Sequence, residues 1–313
     1  MFQTPQPKEA LASGEPARFF DAAGLMTLFP GRIQVKLLSN FATSAQLCRI
    51  WTKLCKAGNT WNSIEITDVD EADYFCVINY PLDGHFYRPE RTIVLKMEEK
   101  ESSRPFFPKE WVDMDRRKYF FVFDERNSLE WHLGKTYTTL SNSSFTKTKV
   151  LSTVTSSAHR LEGHKRRIAL LQYLEQHDVP FDLYGRDNLF QFQNYAGALP
   201  RYEKDAGILP YKYTIAVENV CAKTYFTEKI VDAILGECLC FYWGCPDLET
   251  YIHPDAFIRL DLDNFAKSRT IIEETIRQNE WERRLPVIRG EKTKILNELQ
   301  IMPVIERIIL RTR

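Results

Sequence analysis

Two periods alternate along this chain. Residues 33–38, Ile-Gln-Val-Lys-Leu-Leu, follow a turn at Pro30-Gly31 and predict a strand. Leu47, Ile50, Trp51 and Leu54 recur at helical spacing and predict a helix over 44–55. Further strands are predicted at 64–66, 73–79, 92–97 and 119–123. Strands that alternate with helices over about 120 residues imply a parallel sheet covered by helices on its faces.

A Ser-, Thr- and Asn-rich stretch at 138–148 interrupts this pattern and reads as a linker. The pattern then restarts. Strands are predicted at 150–154, 181–185, 213–217, 237–243 and 257–260, with helices at 164–176 and 227–235. Ile168, Leu171 and Leu174 share one side of the first of these helices. Helices at 268–278 and 288–311 complete the chain, the last interrupted at Pro303. The first 30 residues are rich in Pro, Gly and Ala and predict a mobile leader. The expected organisation is therefore a leader at 1–30, an α/β half at 31–148, and a second α/β half with a helical tail at 149–313. Two such halves facing each other leave a cleft, the usual place for a ligand.

The length of 313 residues agrees with two domains of roughly 150 residues each. A hydrophobic content of 44% excludes a disordered chain, and 13% aromatics suits a packed enzyme with a groove. Lys plus Arg is 42 and Asp plus Glu is 42, so bulk electrostatic binding to nucleic acid or an anionic membrane is not expected. A local basic pocket for a phosphate is compatible with that balance. No run of 18 apolar residues is present, and residues 1–32 lack a basic segment followed by an apolar core. Neither a membrane span nor a signal peptide is expected. The seven cysteines are odd in number and most sit in apolar runs, which predicts buried free thiols and a cytoplasmic location. The single sequon, Asn142-Ser143-Ser144, is equally compatible with chance and with a glycan.

Common motifs are missing. There is no G-x-G, no G-x-S-x-G and no H-E-x-x-H. Gly134-Lys135-Thr136 lacks the upstream glycine of a phosphate loop, since Leu129 stands there. Cys238 and Cys240 lie in a strand-like run and read as buried small hydrophobes rather than metal ligands. Three D-x-D triplets occur at 68–70, 113–115 and 261–263, a frequency that 42 acidic residues produce by chance. No metal and no cofactor is expected.

The informative segment is 211–254. Tyr211 to Asn219 reads as a strand, and Thr227 as the N-cap of the next helix. Glu228 and Lys229 then occupy the first helical turn, where free N–H groups and the positive dipole end favour an anion. A lysine there adds a full charge for a diphosphate, a glutamate can accept from ribose hydroxyls, and Tyr225 can pack on a base or sugar. On spacing alone, a cap followed by ordinary first-turn charges fits equally well.

The order of residues resembles the signature of the family 10 glycosyltransferases, the α1,3/α1,4-fucosyltransferases. That pattern is roughly Y-K-F-x-x-x-F-E-N, a short loop, Y-V-T-E-K, an apolar helix, then a strand and P-x-x-x-G. Here Tyr211-Lys212-Tyr213 leads to Glu218-Asn219, then Tyr225-Phe226-Thr227-Glu228-Lys229. Tyr242-Trp243-Gly244-Cys245-Pro246, Tyr251-Ile252-His253-Pro254 and Phe257-Ile258 continue it. Asp182-x-Tyr184-Gly185-Arg186 and Gly163-His164-Lys165-Arg166-Arg167 are also similar to the family. The resemblance covers about residues 150–265, and the N-terminal half is matched more weakly. It implies a GT-B fold of two Rossmann-like domains facing across a cleft, with the donor held by the second. It implies GDP-fucose as donor, a glycan as acceptor and inversion at the anomeric carbon. By motif, Glu228 would bind the ribose, and Lys229 with Arg167 or its neighbour Arg166 the diphosphate. Asn219, Tyr225, Tyr184, Gly185 and Arg186 fall in the donor region, and Glu218 would structure it. Val217, Phe226 and Cys240 depart from the pattern conservatively. Another donor on the same fold (GDP-mannose, GDP-rhamnose or UDP-xylose), or a non-catalytic relic, remain open readings.

A single displacement needs a general base across the cleft. Glu98 follows the predicted strand 92–97, where a parallel strand delivers residues to the cleft, and it resembles the family's glutamate after a strand. Glu99 stands beside it as an alternative, and adjacent carboxylates raise one another's pKa. A solvated charge run over 96–101 is the plain reading. Trp131 and His132 follow a strand and are candidates for acceptor contact, with a core Trp an equal reading.

Overall fold

In the computed structural model the described residues are 31–82, 84–99, 107–123 and 129–311. The predicted leader lies outside them. Two six-stranded sheets carry the fold. The first contains β1 (Ile33–Ser39), β2 (Thr60–Trp61), β3 (Ile64–Thr67), β4 (Tyr74–Ile78), β5 (Thr92–Leu95) and β6 (Phe121–Phe123), in the order β2-β3-β1-β4-β5-β6. All neighbours run parallel except β2 and β3. The second contains β7 (Lys149–Val154), β8 (Asp182–Tyr184), β9 (Tyr195–Gly197), β10 (Tyr211–Val217), β11 (Leu239–Trp243) and β12 (Phe257–Arg259), in the order β12-β11-β10-β7-β8-β9, all parallel.

The physical cause is visible in the central strands. β4 reads Tyr-Phe-Cys-Val-Ile and is buried throughout, so both its faces need cover. Helix Ser44–Trp51 covers the neighbouring strands β1 and β3. A capping box fixes its start, with Gln46 N–H on Thr43 Oγ1 (3.3 Å) and Thr43 N–H on Gln46 Oε1 (2.9 Å). Each sheet reverses its winding once, between β1 and β4 and between β7 and β10. Ligands bind outside the carboxyl ends of strands at such points.

Two expectations need correction. The stretch read as a linker opens with a helix, Tyr137–Asn142, capped by Thr136 and anchored by fully buried Leu140. The C-terminal helical region is broken at Gln300 rather than at Pro303. Gln300 Nε2 reaches the carbonyls of Leu54 (3.2 Å) and Leu296 (3.3 Å), whereas Pro303 sits in the first turn of helix Ile301–Arg311, where its missing N–H costs nothing. Helix Ile301–Arg311 docks back on the first half. Glu306 accepts from Ser63 N–H (2.9 Å) and Asn62 Nδ2 (2.9 Å) in the β2–β3 turn.

All seven cysteines are free thiols, six buried and Cys221 exposed. The acidic triplets face their own cations: Asp70 pairs with Lys36, Asp115 with Arg117, Asp261 with Lys267 and Asp263 with Arg166. Among the described residues no cluster of His, Cys, Asp and Glu could hold a metal, and no helix is long and apolar enough to cross a membrane.

Candidate active site

The carboxyl ends of both sheets open on one cavity of about 500 Å³. Asn40 and Phe41 enter it from the end of β1, Asn79 from β4, and Met97 and Glu98 from β5. From the second sheet come Asn219, just past β10, and Tyr225 to Lys229 at the start of helix Glu228–Leu235. Glu130 and His132 form part of the same wall.

A buried charge cluster organises the second-sheet side. Glu218 is fully buried, and its carboxylate accepts from Thr227 N–H (2.9 Å), Thr227 Oγ (2.8 Å) and Lys229 Nζ (3.1 Å). It thereby fixes the helix start that presents Glu228 and Lys229. Burial works against the Lys229 charge, but Glu218 and Glu228 outweigh it and hold the ammonium above its usual range. Burial likewise opposes ionisation of Glu228, yet Lys229, Lys204 and His132 hold its carboxyl well below the ordinary value. Lys204 Nζ reaches both Glu228 (3.4 Å) and fully buried Asp232 (2.8 Å), and Asp232 also accepts from His132 N–H (2.7 Å). Lys204 lies in a loop with no periodicity, so nothing in the sequence pattern marks it.

Glycines allow the close approach this cluster needs. At Gly163 a Cβ would collide with the carbonyls of Glu218 and Asn219, so the helix Glu162–Gln176 can press against the end of β10 only without a side chain. Gly163 N–H donates to Asn219 O at 3.0 Å. Gly244 has φ +155° and a Cβ there would meet Glu218 Cγ.

Arg167 sits one layer behind the cavity wall rather than on it. It is 3% exposed, donates to Ser156 O (3.3 Å) and Val217 O (3.5 Å), and its Nε has no partner. Burial lowers its pKa to about 10, against the pull of Glu218 and Glu228. Arg166 is on the surface, engaged with Glu162 (2.8 Å) and Asp263 (2.5 Å). His164 on the same helix is pushed down to about 4, chiefly by burial and then by Arg167, and accepts from Leu161 N–H at 3.3 Å.

The other sequence-predicted positions divide. Tyr184, Gly185 and Arg186 lie at and just past the carboxyl end of β8, away from the cavity wall. Tyr184 OH bonds Tyr211 OH (2.9 Å), buried Gly185 is pressed against Thr155 O, and Arg186 is exposed. Trp131, a candidate for acceptor contact, is corrected by its burial. It is fully enclosed and spends its N–H on Lys135 O (2.9 Å), so its ring packs the core. His132 does line the cavity, with Nε2 3.3 Å from Glu130 Oε1. Trp51 Nε1 holds the other Glu130 oxygen at 2.9 Å. Burial opposes this carboxylate's charge, but His132 and Trp51 keep its pKa low.

Glu98 and Glu99 part company at the end of β5. Glu98 lines both the main cavity and a second one with Trp111, Asp113 and Lys223, whereas Glu99 lines only the second. Asn79 sets this turn. In the left-handed region at φ 62°, it accepts from Met97 N–H through Oδ1 at 2.9 Å. An asparagine directly after an apolar strand was its only sequence signal, since Asn tolerates that conformation.

Two parallel α/β sheets with a polar cavity between their carboxyl ends define a GT-B fold. An alpha-glucosyltransferase in complex with UDP and a 13-mer DNA shares it, at 9% identity, a TM-score of 0.57, and coverage of 90% of this chain and 100% of that one. The DNA-modifying beta-glucosyltransferase does so at 8% identity and TM-score 0.52, covering 88% and 99%. More particularly, residues 145–280 match the family model "Glycosyltransferase family 10 (fucosyltransferase) C-term". The alpha-(1,3)-fucosyltransferase FucT of Helicobacter pylori is 33% identical over 66 residues, which is 21% of this chain and 14% of that relative's length. The family model match over residues 145–280 thus includes the 211–254 segment from which the resemblance to family 10 was read.

Proposed function

We propose that this protein is an inverting glycosyltransferase that moves fucose from GDP-fucose to a hydroxyl of a glycan acceptor. The observation that carries this reading is the shared cavity: Glu98 from the first sheet meets Asn219, Glu228 and Lys229 from the second. The donor lies against the second sheet. Glu228, ionised, accepts from the ribose hydroxyls, and Lys229 faces the diphosphate. Buried Arg167 adds positive potential from behind. Glu98 takes the proton from the acceptor hydroxyl as that oxygen bonds to the anomeric carbon. The carbon–oxygen bond to the diphosphate breaks, and its electron pair leaves with GDP, stabilised by these cations. The reading calls for no metal.

Calorimetric titration with GDP and with UDP, then turnover of a panel of GDP- and UDP-sugars, tests this. Tight GDP binding with selective release of GDP from GDP-fucose is the expected result. A preference for UDP or for another GDP-sugar would discard the fucosyl reading, and no nucleotide binding would discard catalysis.

A further inference from the structure

Beside the main cavity lies a smaller one of about 250 Å³. The two share Phe41, Arg201 and Tyr202 on their walls, so they form one continuous groove. Ala42, just before the helix Ser44–Trp51, and Gln46, Arg49 and Ile50 on it complete the smaller cavity. Its wall thus combines the start of the first half with the 201–202 loop and includes no residue of helix Glu228–Leu235.

Its chemistry has two parts. Phe41 is 40% exposed, a large apolar ring left facing solvent, and Tyr202 stands next to it in the same wall. Flat rings of this kind stack on the C–H faces of sugars. The second part is charge. Arg49 and Arg201 are both exposed, and their only hydrogen bonds among the described residues go to Ala45 O (3.3 Å) and Tyr202 OH (3.1 Å). Neither meets a carboxylate there, in a chain whose cations and anions balance at 42 each.

The wall is also held in place. Tyr202 has φ 62°, a conformation that costs a non-glycine residue free energy and tends to persist at functional sites. Its ring is fixed from three sides: Arg201 lies 4.9 Å and Lys53 5.9 Å from its centroid, and His132 packs edge-on at 4.7 Å. His132 in turn lines the main cavity, so the ring bridges the two chambers.

We infer that this side chamber is an acceptor subsite that takes an acidic sugar, its ring against Phe41 and Tyr202 and its anionic group between Arg49 and Arg201. This rests on the transferase reading above, and the anion is a carboxylate or a sulfate ester, which guanidinium groups bind by the same paired donors.

The test is binding of matched oligosaccharides to the full chain, followed by saturation-transfer NMR and calorimetry. Trisaccharides with a uronic acid, with a sulfate ester, or with neither at the distal sugar are compared, each with GDP present. Acidic members are expected to bind about tenfold more tightly than their neutral counterparts. Arg49→Ala and Arg201→Ala should each reduce that preference, Arg49→Lys should retain only part of it because the charge stays but the paired donors are lost, and GDP affinity should not change. Preference for only one acidic form names the source. Equal affinity for acidic and neutral sugars, or a preference that survives both alanine substitutions, overturns the subsite. Failure to bind GDP would instead strike the transferase reading, and it is read in a separate titration.

Discussion

Lys229 Nζ lies 3.1 Å from Glu218 Oε2, and this part-buried pair joins the end of β10 to the first turn of the helix that follows it. Glu218 also holds the backbone and hydroxyl of Thr227, so one carboxylate sets both the cap and the cation. Removing Glu218 should leave a largely enclosed ammonium with one partner fewer. Glu218→Gln is expected to lower stability by about 3 kcal/mol, read by denaturant unfolding. A loss below about 1 kcal/mol would show that the pair is replaceable, the range of an exposed ion pair.

Lys229→Ala should act on donor binding rather than on the fold alone. GDP affinity is expected to fall by about tenfold or more in calorimetry, because a charge-assisted contact to phosphate is lost. Unchanged GDP affinity in a folded variant would remove Lys229 from the diphosphate site.

Glu98→Gln should separate binding from chemistry. GDP affinity is expected to stay near wild type while turnover falls by roughly a hundredfold or more. Glu99→Gln, whose carboxylate faces the neighbouring cavity, is expected to retain turnover. The opposite ranking would move the base to Glu99.

His164 predicts a pH dependence of stability. Its folded pKa is lowered to about 4 from 6.5, mainly by burial, so the unfolded chain binds a proton that the folded chain refuses. Its contribution is complete above pH 6.5 and is lost as pH falls through the window from 6.5 toward 4. Protonation would also turn the Nδ1 that accepts from Leu161 N–H into a donor. Melting temperature should therefore fall between pH 7 and pH 5 and fall less in His164→Gln. Identical slopes would refute the assignment.

Gly163→Ala tests the close approach at the cluster. The added Cβ would strike two backbone carbonyls, so the helix Glu162–Gln176 must shift away from β10. An overpacking cost of about 3 kcal/mol is expected from thermal unfolding. Because Asn219 lines the cavity, GDP affinity should fall with it.

The sequence by itself determined the alternation of strands and helices, the division into two α/β halves, and the Thr227 cap with Glu228 and Lys229 in its first turn. These are local matters: periodicity of burial and the chemistry of a helix start depend on residues near one another in the chain. Even locally it faltered where one buried side chain decided the outcome, as Leu140 does in drawing a helix out of the Ser/Thr stretch. Tertiary structure decided what spacing cannot carry. It buried Trp131 and left His132 on the cavity, although they are adjacent in the chain. It set Arg167 behind the wall and Arg166 on the surface, because one helix face packs on β10 and the next points to solvent. It brought Lys204 to Glu228 and Asp232 from a patternless loop, and Glu306 back to Ser63 across 243 residues. Such contacts follow from how whole elements pack, and no residue's neighbours in the chain record them.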